Sequence, residues 1–240
     1  MGKRGPKPKG KVKIKWSPNF AYVIGLLASD GNLSPDGYHL NLTSKDFEVI
    51  ELFRKCLLIN NKIGRKARSN SVGKKYYVVQ FGDVLFYKFL LGIGLTPAKS
   101  KTIENLDIPY KYFFDFLRGS FDGDGCFYSY WDPRWRSSFM FYTSFASASK
   151  KHIDWLRREI FERLKARGHI TKDRNKITYQ LKYAKKDSLK IIKSMYYSTS
   201  ILCLSRKREK IIKALKMAGI KEKMPGWRNR RRAALRWLWE

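Results

Sequence analysis

Apolar positions along this chain run through one order of periods and then run through it again. Residues 19–30 are almost all apolar or small, the pattern of a helix buried on most sides, and Gly31 stops it. Ser17-Pro18 just ahead makes a helix start, with Ser as cap and Pro in the first turn. After a hairpin turn signal at Asp36-Gly37, residues 38–44 alternate, with Leu40 and Leu42 facing a core and His39, Asn41 and Thr43 facing out. Residues 46–58 return to the helical period. Residues 65–69 and 74–81 read as a second strand pair, with Tyr77, Val79 and Phe81 inside and Lys74, Tyr76, Val78 and Gln80 outside. A helix over 84–91 ends at Gly92.

The second pass begins with a helix over 110–122, ended by Gly123 and Gly125. Residues 126–131 and 138–148 form a hairpin in which Phe139, Phe141 and Phe145 point one way and Met140, Tyr142 and Ser144 the other. A helix over 151–167 stops at Gly168. Strands at 170–172 and 176–183 follow, with Ile177, Tyr179, Leu181 and Tyr183 inside and Lys176, Thr178, Gln180 and Lys182 outside. Helices over 189–197 and 206–217 close the pattern. The chain therefore reads as two αββαββα units in tandem. The expected class is α+β, each half an antiparallel sheet with helices on one face.

Composition decides what the open sheet faces meet. The 240 residues carry 51 Lys plus Arg against 20 Asp plus Glu, a net charge of +31. Hydrophobic residues are 43% and aromatics 15%, enough for a packed core. Such a charge calls for a polyanion, and nucleic acid fits best, because Lys and Arg neutralise phosphates with release of counterions. A sheet face bearing Lys, Arg, Gln, Asn and Thr can enter a major groove and read base edges. Besides the outward residues above, Arg65 and Arg68 are candidates for that surface. The sequence contains no long apolar stretch to span a bilayer and no charged-then-apolar leader, so no membrane partner is expected. Cys56, Cys126 and Cys203 have neither disulfide nor zinc spacing, and a reducing intracellular setting is expected. Cys56 and Cys203 read as small core residues. No Ser–His–Asp or Cys–His set points to nucleophilic catalysis.

Chemistry concentrates in a repeated segment. Val23-Ile24-Gly25-Leu26-Leu27-Ala28-Ser29-Asp30-Gly31 and Leu117-Arg118-Gly119-Ser120-Phe121-Asp122-Gly123-Asp124-Gly125 share an apolar helix, Gly at the third position and a terminal Asp-Gly. A carboxylate at a helix C-terminus is disfavoured by the helix dipole, by about 0.3–1 kcal/mol. Gly25 and Ser29, like Gly119 and Gly123, are one helical turn apart, a spacing that lets two helix backbones approach closely. Packed side by side, the helices would bring Asp30 and Asp124 together, and two converging carboxylates on a basic surface suggest divalent cations shared with phosphate, Mg²⁺ first. Arg118 is left without a role, a solvent-facing position being open to it.

Both segments resemble the signature of LAGLIDADG homing endonucleases in their single-chain, two-motif form, over about residues 17–217. The first copy departs in having Ala28 where the second has Asp122, while the penultimate Asp is kept in both. The resemblance implies two pseudo-symmetric halves, here 17–106 and 107–220, with saddle-shaped sheets. Outside it, composition makes 1–16 a basic flexible arm and 221–240 a basic Arg/Trp-rich tail. It implies metal-assisted phosphodiester hydrolysis by a monomer, with Asp30 and Asp124 holding Mg²⁺ (or another divalent cation such as Mn²⁺) helped by the carbonyls of Ser29 and Gly123. The stretches Gly94–Ser100 and Leu202–Lys207 resemble those that carry basic residues in the family, which puts Lys99 and Lys207 beside the scissile phosphates, with Lys101 and Arg206 as neighbours. The implied product is a double-strand break in a long asymmetric DNA site, with short 3′ overhangs. A rival reading on the same fold is a non-catalytic nucleic-acid binder, an intron-splicing RNA maturase or a DNA-binding regulator; RNA stays open because the tail is rich in Arg and Trp. The retained carboxylate pair speaks for the enzyme. A ribosome-associated basic protein would explain the charge but not the repeated helix end.

Overall fold

Helix α1 (Pro18–Ser29) starts where Ser17 Oγ accepts from the Phe20 amide at 3.1 Å, and its residues Phe20 to Leu27 are all buried. The structure, a computed structural model, describes residues 10–67, 75–135, 137–172 and 177–220. Most of the expected arm, the 221–240 tail, Arg68, Lys74 and Lys176 lie outside the described residues. After α1 come β1 (Gly31–Leu33), β2 (His39–Ser44), α2 (Phe47–Leu57), β3 (Ile63–Lys66), β4 (Tyr76–Gly82) and α3 (Val84–Gly92). A 3₁₀ turn at Tyr110–Tyr112 leads into the second series: α4 (Phe113–Asp124), β5 (Cys126–Trp131), β6 (Phe139–Ser147), α5 (Lys150–Leu164), β7 (His169–Lys172), β8 (Tyr179–Tyr183), α6 (Lys185–Met195) and α7 (Ser205–Met217).

The strands make two four-stranded antiparallel sheets with the same topology, β1-β2-β4-β3 and β5-β6-β8-β7. Leu40, Leu42, Val79 and Phe81 cover the helix side of the first sheet, and Phe141, Phe145, Leu181 and Tyr183 that of the second, all buried. Burying each of these large side chains contributes about 1.5–3 kcal/mol. The α+β class, the tandem order of elements and the one-sided helix packing are those expected from the periodicity.

Several expectations need correction. Helices α2 and α5 end on Leu58 and Lys165, non-glycine residues in the left-handed region (φ 55° and 51°), so α5 stops short of Gly168. Strand β8 starts at Tyr179, which leaves Ile177 outside the sheet and 61% exposed instead of inside. Helix α6 starts at Lys185, with Asp187 in its first turn, where a carboxylate suits the dipole. Arg118 is not solvent-facing but wholly buried: its guanidinium donates to the carbonyls of Met195 and Leu202, both at 2.9 Å, and to Asp115 at 2.8 Å. The expected arm is anchored at two points within residues 10–16, Lys11–Val12 and Trp16, while Lys13, Ile14 and Lys15 stay exposed. The amides of Lys11 and Val12 donate to Asp83 Oδ2 at 2.6 and 2.8 Å, Val12 is buried, and the Trp16 ring packs on Phe20, Phe89 and Tyr112.

Candidate active site

Helices α1 and α4 meet without intervening side chains. A Cβ built on Gly25 would lie 2.1 Å from the Phe116 carbonyl oxygen, and one built on Gly119 would lie 2.0 Å from that of Tyr22. Only glycine fits at either position, so the repeated Gly sets the backbones in contact. One turn on, the Gly123 position faces Ser29 and the Asp30 carboxylate, where a Cβ would fall 3.0 Å from Asp30 Oδ2. The two Asp-bearing ends thus converge.

Asp30 is half-buried and Asp124 more open. Burial, and next the charge of Asp124, push the Asp30 carboxyl up to about 6, while Lys207 and Lys99 pull it down. Partial desolvation raises Asp124 as well, against the same two lysines. Asp30 feels Asp124 as a like charge, at a helix end that already disfavours a carboxylate, and a cation between them would relieve both penalties.

Lys99 and Lys207 do not point outward to a phosphate. They are 6% and 8% exposed. Lys99 Nζ donates to the carbonyls of Gly31 at 2.6 Å and Ser29 at 3.3 Å. Lys207 Nζ donates to those of Phe121 (2.6 Å), Gly125 (2.7 Å), Asp122 (2.9 Å) and Gly123 (3.2 Å). Each ammonium therefore caps the carbonyl end of the helix that carries the aspartate, where orphan carbonyls and the dipole both want a cation. Burial lowers both lysines' affinity for a proton, and the carboxylates oppose that. Of their expected neighbours, Lys101 is exposed and Arg206 is spent on Asp46.

The lysine-bearing stretches are held by the opposite half. Arg206 makes a two-pronged pair with Asp46 at the start of α2 (2.6 and 2.9 Å), and the Ser205 amide donates to the Glu48 carboxylate at 3.1 Å. In the mirror arrangement, Ser149 Oγ at the start of α5 donates to the Ile103 carbonyl, and His152 Nδ1 lies 2.8 Å from that of Glu104. Asp122 was missed by sequence reasoning except as a departure between the two copies. It is buried, its Oδ2 accepts from the Tyr22 hydroxyl (2.8 Å) and the Leu204 amide (2.7 Å), and it ties both helices to the Lys207 stretch. The difference between Ala28 and Asp122 was the available signal; the partners in space were not.

Two carboxylates with helix-end carbonyls are a hard-oxygen donor set, the kind Mg²⁺ takes when phosphate and water complete its shell. Among the described residues no cluster of three or more His, Cys, Asp or Glu forms a closed metal cage. The residues fit an open, shared cation site, though the carbonyls of Ser29 and Gly123 already accept from lysines.

The first sheet's open face carries Asn32, Asn41 and Gln80 in one rung, with Thr43 beside Val78 and His39 beside Gly82. Asp30, Asn32, Asn41, Thr43, Lys66 and Tyr76 line one open cleft. His39 is engaged by Asp36 at 2.7 Å. Arg65 is a correction: its register partner is Tyr77, so it lies on the helix side with its guanidinium 5.2 Å from the Tyr77 ring, and Lys66 takes the open face. The cause is Ile63, which pairs inward with Val79 and fixes the parity of the strand. On the second sheet Met140, Tyr142, Gln180 and Lys182 share the open face; Thr178, outside the strand, borders a cleft with Lys99 and Asp124. Ser144 has that parity too but is buried, its hydroxyl given to the Cys126 carbonyl at 3.3 Å.

No protein-family model and no curated protein matches the sequence. Solved structures do match. The meganuclease I-SmaMI, bound to an uncleaved DNA target in the presence of calcium ions, superposes with a TM-score of 0.57 at 15% identity over 86% of this chain and 92% of that one. This chain has the LAGLIDADG fold. I-DmoI in complex with DNA and Ca shares it (TM-score 0.54, 16% identity, 81% of this chain and 97% of that one). So does full-length DUF199/WhiA from Thermatoga maritima, at a TM-score of 0.52 and 16% identity over 86% of this chain. This chain spans 63% of the WhiA chain's length. The LAGLIDADG fold is thus common to the two DNA-bound proteins and to WhiA.

Proposed function

We propose that this chain is a site-specific DNA endonuclease that makes a double-strand break and depends on a divalent cation, Mg²⁺ or Mn²⁺, acting as a monomer. The observation that carries this reading is the convergence of Asp30 and Asp124 at two touching helix ends, each end capped from below by a buried lysine. The DNA bound by I-SmaMI and I-DmoI on the same fold supports a duplex partner, and so does the net charge of +31. A bound divalent cation would activate water and stabilise the leaving oxygen. Asp30 and Asp124 would hold it, with phosphate oxygens and water completing its shell. Lys99 and Lys207 hold the helix ends and balance the carboxylates; they are positioning residues, since their ammonium groups are spent on carbonyls. The open sheet faces bind the duplex on either side of the centre and orient one phosphate of each strand toward the pair.

The test is cleavage of a randomised duplex library with Mg²⁺, Ca²⁺ or EDTA, by the wild type and by Asp30→Asn and Asp124→Asn. The expected result is Mg²⁺-dependent cleavage that falls about a thousand-fold or more in either variant, with DNA affinity nearly kept. Undiminished cleavage by either variant would remove the pair from the mechanism. Specific binding with no cleavage in any divalent ion would favour the non-catalytic binder.

A further inference from the structure

The two open sheet faces have the same topology but different chemistry. In the rung next to Asp30, the register pairs Asn32 with Asn41 and Asn41 with Gln80, so three carboxamides lie side by side across β1, β2 and β4. Asn32 and Gln80 are exposed and Asn41 half-buried, and Asp30, Asn32 and Asn41 line one cleft. No side chain among the described residues takes up these amide heads. The matching rung beside Asp124 is Cys126, Ser144 and Lys182, with the Ser144 hydroxyl already engaged. Beyond it lie Tyr128, Tyr130 and Tyr142, whose rings stack on one another at 5.0 and 6.2 Å.

We infer that the row Asn32–Asn41–Gln80 selects adenines in the half-site that the first sheet covers, next to the scissile position, and that the second half, whose open face carries the single carboxamide Gln180, lacks such a row. A carboxamide offers one donor and one acceptor side by side, the match for adenine N7 and N6 in the major groove. Neighbouring strands are about 4.8 Å apart, so three heads span about 10 Å, or about three base-pair steps of roughly 3.4 Å, and fall within about four consecutive base pairs. Unspent amides gain most from such pairing, because no internal hydrogen bond is given up. The Cys126, Ser144 and Lys182 rung presents an ammonium, which only donates, beside a buried hydroxyl, and cannot copy the carboxamide's paired donor and acceptor. The inference rests on the DNA-binding part of the function proposed above and gives that site a base preference.

The experiment is recovery of bound duplexes from a randomised pool in EDTA, so that cleavage plays no part. The wild type is expected to enrich adenine on one strand at two or three adjacent positions on one side of the site only. Gln80→Ala or Asn41→Ala is expected to reduce that preference about five-fold or more at one position and leave the rest of the motif. Gln80→Glu is expected to exchange adenine for cytosine there, because a carboxylate accepts from cytosine N4. Gln80 is exposed, so its variants keep the fold, which circular dichroism checks. The same bases recovered by wild type and variants, or no adjacent adenines in the wild type, would overturn the inference. Mg²⁺ cleavage of the recovered duplexes separates the two readings. Cleavage of sites without the adenines discards this one and keeps the nuclease, and adenine preference without cleavage does the reverse.

Discussion

Asp30 and Asp124 occupy positions where the backbone resists negative charge, and the lysines beneath them are the compensation. The same clamp that carries Lys99's stretch contains a buried histidine. His152 is 5% exposed, and burial holds its imidazole down to about 4, with Lys99's charge acting in the same direction and the Glu104 carbonyl against it. A histidine with a depressed folded pKa binds fewer protons folded than unfolded, so its contribution to stability is complete above its ordinary value of about 6.5 and is lost as pH falls toward 4. The raised Asp30 and Asp122, each at about 6, act in the opposite sense over nearly the same range. A difference measurement isolates the histidine. Between about pH 6.5 and pH 4.5, the melting temperature of the wild type is expected to fall relative to His152→Gln by roughly 5 °C. Parallel pH curves for the two proteins would show that His152 titrates normally.

At the scale of elements, the α1–α4 contact decides whether a shared site exists. Gly25→Ala would drive a methyl into the Phe116 carbonyl and the Ser120 amide, 2.1 and 2.6 Å away, both backbone atoms that cannot swing aside. The expected cost is about 3 kcal/mol, at the upper end for overpacking, and under the proposed function cleavage should fall with it as the aspartates separate. Gly92→Ala, where an added Cβ meets nothing within 4 Å, is the control and is expected to be neutral or stabilising by up to about 1 kcal/mol. Urea unfolding of both variants checks this; equal midpoints would mean that α1 and α4 do not pack as described. The crossed clamps, Arg206 on Asp46 and Ser149 on Ile103, explain why the lysine stretches sit under the helix ends at all. Each half is completed by the other's helix N-terminus.

The whole molecule combines a net charge of +31 with two antiparallel sheets of the same strand order. Under the proposed function many phosphates are neutralised at once. DNA affinity measured by fluorescence anisotropy is then expected to fall by about three orders of magnitude or more from about 50 to about 200 mM salt. A shallow salt dependence would mean that the positive charge is spent elsewhere. The chemical difference between the two open faces, a row of three amides on one and stacked tyrosines with a single Gln180 on the other, suits, under the proposed function, a target whose halves differ.

Periodicity alone was enough for the α+β class, the tandem repeat and most inward positions, because a buried face imposes its period on the sequence. The repeated Gly and Asp marked the candidate site for the same reason: a backbone contact admits only glycine, and a carboxylate at a helix C-terminus stands out. Registers and helix ends were less legible. The pairing of Ile63 turned Arg65 to the helix side, and Lys165 ended α5 without a glycine. The folded structure alone decided the rest: Lys99 and Lys207 turned inward onto carbonyls, Arg118 was buried, and Asp122 joined Tyr22 to Leu204. These are bonds between residues some 70 to 100 positions apart in the chain. A local pattern records which side of an element is buried, but a buried charge is satisfied by whatever the fold brings to it from afar.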